Sequence, residues 1–479
     1  MDTKKLRQKI LDLAIRGKLV PQDPNDEPAS LLLERIRAEK ERLIAEGKIK
    51  RPKKSKTSSA ESHYQQLPKG WTFCTIDNLV KTVTDFVASG SFASLRENVK
   101  YYDSPNYAIL VRTKDFQSNF TNGLVYTDRH GYEFLENSNL FGGELILPNI
   151  GASIGKVFLV PKLNYPMTLA PNSIMVKCWD EVTLIWLYFY FLSTSGQNAL
   201  KNISSSTAQG KFNKTDFKGI CIPVPPLNEQ QRIVNQIFSI ETTLSVIEHN
   251  EDLLKESIKF IKSKILDLAM QGKLVPQDPA DEAAADMLRR INPKAKIIGD
   301  NPHYPQLPEN WVLTTIDSIC LYRNGKTIPV SDINAEDWVL ELEDVESYTG
   351  RLLQIKSKKE RAISGTRHSF KSGDILFSRL RTYLNKVLLS TKDGFCSTEI
   401  IPITPFKCVI PEYLYYWLRS SLFVEYTISC GYGVKMPRLS TSDANKAIVP
   451  LPPLKEQKCI VEIIQKFQSG LDKISNSLS

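Results

Sequence analysis

Ile10-Leu-Asp-Leu-Ala14 and Gly17-Lys-Leu-Val-Pro-Gln-Asp-Pro24 return as Ile265-Leu-Asp-Leu-Ala269 and Gly272-Lys-Leu-Val-Pro-Gln-Asp-Pro279, both displaced by 255 positions. Identity at one displacement over two neighbouring stretches marks an internal duplication, the feature to read before any other. Leu67-Pro-Lys-Gly-Trp71 returns as Leu307-Pro-Glu-Asn-Trp311, each followed by a Thr-Ile-Asp at 75–77 and 315–317. Ile222-Pro-Val-Pro-Pro-Leu-Asn-Glu-Gln230 returns as Val449-Pro-Leu-Pro-Pro-Leu-Lys-Glu-Gln457. The displacements shrink from 255 to 240 to 227 along the chain, so two like frames enclose contents that differ in length and mostly in sequence. A fainter match inside the contents, Gly143-Glu-Leu-Ile146 with Ile154-Gly-Lys-Val157 against Gly373-Asp-Ile-Leu376 with Leu384-Asn-Lys-Val387, holds a constant displacement of 230 and implies one shared fold.

Between the copies the pattern changes. Ile233, Ile237, Ile240, Leu244, Ile247, Leu254, Ile258, Ile261, Ile265 and Leu268 alternate four and three apart, with only Glu251 off the stripe. Such a heptad seam predicts a long helix that needs a partner helix, on the order of 60 Å from Glu229 to Met270 at ~1.5 Å per residue. The end of the chain carries the same spacing at Ile460, Ile464, Phe467, Leu471, Ile474 and Leu478, and its beginning carries Leu6, Ile10 and Leu13. By their displacements the carboxyl-terminal helix matches the first half of the central helix and the amino-terminal helix its second half. The simplest architecture is α/β of the α+β kind: two tandem, pseudo-twofold-related globular domains separated by long antiparallel coiled-coil helices. One amphipathic helix lying on a globular core is the alternative.

The expected divisions are a helical repeat and basic arm over 1–66, a first variable domain over 67–226, a central helical region over 227–306, a second variable domain over 307–452 and a last helix over 453–479. Short β-rich runs such as Tyr107-Ala-Ile-Leu-Val-Arg112 and Asp374-Ile-Leu-Phe377, punctuated by Gly, Pro, Asn and Asp, give the variable domains their strands. Trp186-Leu-Tyr-Phe-Tyr-Phe-Leu192 and Tyr413-Leu-Tyr-Tyr-Trp-Leu418 occupy equivalent places and read as buried helices, with a base-stacking surface as the alternative.

A chain of 479 residues exceeds the usual size of a single core, and 42% hydrophobic with 24% charged residues is an ordinary globular composition. The net charge is +9, and Arg35 to Lys56, with ten basic and three acidic residues, supplies +7 of it. That segment is either a phosphate-contacting arm or a solvated helix face running into a linker. The eight cysteines form no C-x-x-C pair and no histidine cluster, so zinc and redox motifs are not expected. MDTKKLRQKI lacks the apolar stretch of a signal peptide, and the longest apolar run, Leu184 to Leu192, has nine residues where a span takes roughly 20. No membrane partner is expected, and the cytoplasm is the expected location.

Catalytic motifs fail one by one. Gly151-Ala-Ser-Ile-Gly-Lys156-Val157 is one residue short of a phosphate loop and has Val where a magnesium-binding hydroxyl is needed, so it reads as a tight turn. Val224-Pro-Pro-Leu and Leu451-Pro-Pro-Leu lack the polar residue and the aromatic with which amino-methyltransferases hold a flipped base. The five histidines are scattered. An enzyme is not expected, and neither is a metal site.

The Pro-Pro-Leu-x-Glu-Gln box closing each variable domain, the Leu-Pro-x-x-Trp opening it and the heptad helix that follows resemble the specificity subunits of type I restriction–modification systems. Gly143-Glu-Leu-Ile, Gly373-Asp-Ile-Leu and Ser153-Ile-Gly-Lys156 are similar to that family's usual stretches, whereas Tyr383-Leu-Asn-Lys386 departs from them. The resemblance implies a non-catalytic subunit in which each variable domain is a target-recognition domain reading one half of a split double-stranded DNA site. It implies helices that fix the spacer and dock two methyltransferase subunits, restriction subunits that join this core, and S-adenosylmethionine, ATP and Mg bound by the partners only. The seam residues expected to serve this are Ile233, Ile237, Leu244, Ile247, Leu254, Ile258, Ile261, Ile460, Ile464, Phe467, Leu471 and Ile474. Base readout wants Arg, Lys, Asn and Gln on loops. The candidates are Asn149, Ser153, Lys156, Gln209, Lys211, Asn213 and Lys214 in the first domain, and Arg379, Arg381, Lys386, Lys435 and Arg438 in the second; a solvated charge is the alternative at each. A decoy or scaffold that occupies methyltransferase subunits without reading DNA is the rival function.

Overall fold

Boxes that are distant in the chain meet in space. In the computed structural model, which describes residues 2–49, 67–205, 210–299, 301, 304, 307–433 and 435–478, strand Thr72–Thr75 pairs antiparallel with Cys221–Val224. Entry and exit of the first variable domain are thus clasped as a two-stranded ribbon, whose edge positions tolerate Pro223. The Trp71 indole N–H donates to the buried Glu229 Oε2 at 2.9 Å, and Gln230 Nε2 donates to the Pro225 carbonyl at 2.9 Å. Glu-Gln in the box therefore closes hydrogen bonds that the tryptophan and the proline run would leave open. Gly17 ends the helix Thr3–Ile15 in the left-handed region (φ 65°), with Lys18 N bonded to the Leu13 carbonyl at 2.9 Å. A Cβ on Gly17 would stand 2.5 Å from Pro68 Cγ, so the first repeated box packs directly on the second.

The second half repeats the clasp. Val312–Thr315 pairs with Ile448–Leu451, Trp311 donates to Glu456 Oε2 at 2.9 Å, and Gln457 Nε2 donates to the Pro452 carbonyl at 2.9 Å. A Cβ on Gly272 (φ 67°) would stand 2.4 Å from Pro308 Cγ. The aspartate of each Ile-Leu-Asp-Leu-Ala anchors the helix that follows the aromatic one. Asp12 accepts from the Thr194 N–H and hydroxyl at 2.9 and 2.8 Å, and Asp267 from those of Ser421 at 3.1 and 2.8 Å. The aromatic stretches are the buried helices Glu181–Leu192 and Pro411–Leu418.

The chain divides into two units, Met1–His249 and Asn250–Ser479, with the division inside one unbroken helix, Leu227–Met270, of 44 residues. In the first unit Ile10, Trp71, Leu145, Trp186, Ile222, Ile233 and Leu244 belong to one core, so the helices and the variable domain are packed together rather than as separate bodies. Ile265, Trp311, Ile375, Trp417, Val449 and Ile460 form the corresponding core of the second. Thr3–Ile15 runs antiparallel to the first half of the long helix: Arg7 bridges Glu241 at 2.8 Å and Glu248 at 2.6 Å, and Thr3 donates to Glu248 at 2.6 Å. Leu454–Ser477 runs antiparallel to the second half, with Gln277 against Glu456 at 3.0 Å and Lys262 against Asp472.

Seam burial is strongest where the terminal helices meet the variable domains. Ile233, Ile237, Leu244, Ile258, Ile460 and Ile464 are buried, and Ile247 and Leu471 are half-buried. Leu254, Ile261, Phe467 and Ile474 are exposed, although the heptad places them on the seam. In the first unit the partner helix starts at Thr3, level with Glu248; in the second, Leu454–Ser477 reaches Lys262 through Asp472 and Ile258 is buried, so the exposure of Ile261, Phe467 and Ile474 is not set by helix length. Off the seam, Phe238 and Val246 in the first unit and Leu253 and Phe260 in the second are exposed apolar side chains.

Each variable domain holds one four-stranded antiparallel sheet of the same order. In the first it runs Thr82–Asp85, Ser173–Lys177, Leu145–Pro148, Phe158–Leu159; in the second, Cys320–Tyr322, Ile400–Pro405, Ile375–Ser378, Val387–Leu389. A second sheet in each contains one parallel pair, Ala108–Val111 with Met167–Leu169 and Val339–Leu340 with Gly394–Cys396. None of the helices among the described residues is long and apolar enough to cross a membrane.

Candidate nucleic-acid interface

The strand Leu145–Pro148 and its counterpart Ile375–Ser378 begin at the Gly-Glu/Asp turns. Gly143 and Gly373 take φ of 85° and 89°, and the buried acid after each caps the turn. Glu144 accepts from the Phe141 and Gly142 N–H groups at 2.9 Å each, and Asp374 accepts from Lys371 N at 2.8 Å. The acid in this motif is therefore structural, and it fixes where the strand that leads to the next turn begins.

That next turn is held by a loop from much later in each domain. In the first, Ile150 bridges Lys211, Gly151 N donates to the Gly210 carbonyl at 2.9 Å, and Phe212 N donates to the Asn149 carbonyl at 3.1 Å. In the second, Leu380 bridges Arg438, Arg381 N donates to the Pro437 carbonyl at 2.8 Å, and Leu439 N donates to the Arg379 carbonyl at 2.9 Å. The two candidate groups of each domain thus form one surface, built on the same backbone frame. Gly155 (φ 95°) and Asn385 (φ 49°) occupy equivalent left-handed positions, so the departure from Ser-Ile-Gly-Lys keeps the turn, because asparagine tolerates that region.

The candidate side chains divide by use. Lys156 and Lys211 in the first domain and Lys435 in the second are exposed and make no ion pair among the described residues. Ser153 is half-buried in the turn. Asn149 Nδ2 donates to the Phe212 carbonyl at 3.1 Å, Asn213 caps the helix Lys214–Lys218 through Asp216 N at 2.9 Å, and Lys214 pairs with Asp85 at 3.0 Å. Lys386 donates to the Leu342 carbonyl at 2.6 Å, and burial pushes its amine below the usual lysine range. Gln209 lies outside the described residues.

Arg379, Arg381 and Arg438 converge in the second domain, together with two residues that a search for cationic and amide side chains passes over. Glu399 Oε1 accepts from Arg438 Nε at 2.9 Å and lies 2.9 Å from its Nη2, while its Oε2 lies 3.6 Å from Arg379 Nε. Arg379 Nη2 donates to the Tyr432 hydroxyl at 2.8 Å. Arg381 is left-handed (φ 51°) and half-buried, and its buried Nε has no hydrogen-bond partner among the described residues. The positions equivalent to Arg379, Glu399, Tyr432 and Arg438 carry Asn149, Asn172, Ser205 and Lys211 in the first domain, tied by the same backbone bonds: Asn149 N to the Asn172 carbonyl, and Ser205 N to the Lys211 carbonyl.

The described part of the basic stretch is largely engaged within the protein. On and after the helix Ala29–Ala45, Arg35 pairs with Glu27, Arg42 with Glu39 and Glu46 at 2.6 Å each, and Lys48 with Glu46 at 2.8 Å; residues 50–56 lie outside the described residues. No cluster of three metal-ligating side chains occurs among the described residues, and the eight cysteines are free thiols.

A profile of the type I restriction modification DNA specificity domain matches residues 68–256 and 308–478. The chain belongs to that family. Each match covers one clasped frame and the helix that leaves it, the first part of the long helix in one case and the helix Leu454–Ser477 in the other. The specificity subunit of the type I restriction enzyme EcoAI of Escherichia coli is 28% identical, over 98% of this chain and 90% of that protein. The EcoEI specificity subunit of Escherichia coli is 25% identical over 99% and 90%. A solved chain from work titled "Structural basis underlying complex assembly and conformational transition of the type I R-M system" shares the fold with a TM-score of 0.54 at 16% identity, over 87% of this chain and 94% of that one. The family is one of DNA specificity rather than catalysis, and this member is a DNA specificity protein and not an enzyme.

Proposed function

We propose that this chain selects the DNA sequence for a type I restriction–modification complex: the domains 67–226 and 307–452 each read one half of an asymmetric, two-part site in double-stranded DNA. The observation that carries this reading is the pair of equivalent surfaces on one backbone frame, furnished with Asn149, Asn172, Ser205 and Lys211 in one domain and Arg379, Glu399, Tyr432 and Arg438 in the other. Like frames present both readers to the groove in the same way, and unlike side chains make the half-sites differ. Lys156, Lys211 and Lys435 supply the unpaired cations that phosphate contact requires.

The long helix and its antiparallel partners set the spacer between half-sites and dock two methyltransferase subunits. Phe238 and Val246 in the first unit, and Leu253, Phe260 and the uncovered seam residues Leu254 and Ile261 in the second, are the exposed apolar side chains that support such docking. Restriction subunits join that core. S-adenosylmethionine, ATP and Mg belong to the partners, and the complex works in the cytoplasm. Co-expression with the methyltransferase subunit, followed by genome-wide mapping of methylated bases, tests the reading. One two-part sequence methylated throughout the genome is the expected result; a stable complex without any sequence-dependent methylation would establish the decoy instead.

A further inference from the structure

The second domain's surface is rich in donors. Two guanidinium groups, those of Arg379 and Arg438, face one carboxylate, Glu399, and the buried Nε of a third arginine in the same turn, Arg381, has no acceptor among the described residues. A buried donor without an acceptor is costly unless a ligand supplies one. Arg438 shows how the cluster is poised. A guanidinium carries five N–H groups in a planar fork. Glu399 Oε1 accepts from Arg438 Nε at 2.9 Å and lies 2.9 Å from its Nη2 as an ion pair. This side-on grip fixes the plane of the group, and the end-on edge formed by Nη1 and the second Nη2 hydrogen has no partner among the described residues. Arg379 is held by its hydrogen bond to Tyr432 at 2.8 Å, with the other oxygen of Glu399 3.6 Å from its Nε as a looser ion-pair contact. An end-on fork held rigid by a carboxylate matches the paired acceptors O6 and N7 of guanine, whereas a phosphate contact needs charge and tolerates a mobile side chain.

We infer that Arg438 reads a guanine in the half-site of the second domain, that Glu399 is the positioning residue that holds its fork in register, and that Arg379, Glu399, Tyr432 and Arg438 are the specificity-determining set of this domain. The frame supports this from the other side. Lys211 and Asn172, which replace Arg438 and Glu399 in the first domain, cannot form a braced fork, so the first half-site lacks this contact. The inference rests on the reading that the chain selects DNA sequence.

The full chain, purified with its methyltransferase partners, is to be used to select binders from a randomised double-stranded DNA library, and the wild type compared with R438Q, R438K and E399Q. The wild type is expected to enrich a two-part sequence with a fixed G·C pair in one half. R438Q and R438K both lose preference at that pair by about ten-fold or more and keep the other half-site. R438K separates the two chemistries, because an ammonium keeps a phosphate contact but not a bidentate fork. E399Q weakens discrimination at the same pair, by less than R438Q, with unchanged hydrogen exchange in the strand Ile400–Pro405. Equal weakening on every sequence, retained preference in R438K, or unchanged base preferences in R438Q overturns the inference and leaves the sequence-reading function standing. A wild type that enriches no sequence overturns both.

Discussion

Replacing Trp71 with Phe should open the clasp of the first domain. Trp71 is buried, packs edge-on against Trp186 at 5.6 Å and 87°, and gives its only N–H to Glu229 Oε2 at 2.9 Å. Phenylalanine keeps most of the ring but removes the donor. Glu229 Oε1 already lacks a hydrogen bond among the described residues, so W71F removes the indole donor and leaves this buried carboxylate only the weaker pull of Gln22 and Arg232. Leaving such a group unsatisfied costs about 1–3 kcal/mol, and loss of the larger ring's packing adds about 1 kcal/mol. The expected total is about 2–4 kcal/mol. Because a chain of two units need not unfold in one step, the assay is native-state hydrogen exchange at Thr72–Thr75 and Cys221–Val224 rather than a single melting curve. E229Q removes the charge that W71F strands, so the double variant should recover about 1–3 kcal/mol relative to the sum of the single changes. Protection of Val312–Thr315 should not change. A coupling below about 0.5 kcal/mol, or equal loss of protection in both ribbons, would refute the claim that the tryptophan and the box glutamate form one clasp.

Burial pushes the carboxyls of Glu229 and Glu456 above the ordinary glutamate value of 4.5, against the pull of their tryptophan and glutamine partners. A carboxyl whose folded pKa is raised binds its proton more tightly in the folded state. Its burial therefore costs stability at neutral pH, and the cost fades as pH falls through the raised value towards 4.5. E229Q and E456Q should accordingly gain on the wild type at pH 7 to 8 and lose that advantage towards about pH 4.5, as read by melting temperature across pH. A gap that widens on acidification would contradict the sign. Inserting four residues, slightly more than one turn, between Glu248 and Leu254 should change the spacer length in the methylated sequence and leave both half-sites unaltered, as read by methylation mapping.

The duplication made most of the fold legible, because each repeated box marks a contact. Gly17 seats on Pro68, Asp12 on Thr194 and Trp71 on Glu229, and every one of these pairs has its counterpart in the second unit. The heptad showed which residues share a helix face but not which of them a partner covers: Leu254 and Ile261 are exposed although Ile258 between them is buried and Lys262 pairs with Asp472 of the terminal helix. The proposed reading surface was legible as a pair of loops and less so as side chains. Asn149, Asn213, Lys214 and Lys386 have the polarity of base readers, yet each is bonded to the protein's own backbone or carboxylates, which polarity cannot reveal. Glu399 and Tyr432 escaped because a search for cations and amides discards acids and aromatics. The displacement of 227 that joins the closing boxes also joins Asn172 to Glu399 and Ser205 to Tyr432, and it was the signal that could have found them.

The measurement that bears most directly on the account is an exchange of readers. Residues 67–226 are to be replaced by the corresponding domain of another family member of known target, keeping the Gly17 and Trp71 contacts of the frame, and methylated sites mapped with the same partner subunits. The account predicts that one half of the target becomes that of the donor, while the other half and the spacer stay as they were. A change in both halves, or in neither, would show that the two domains do not read DNA independently.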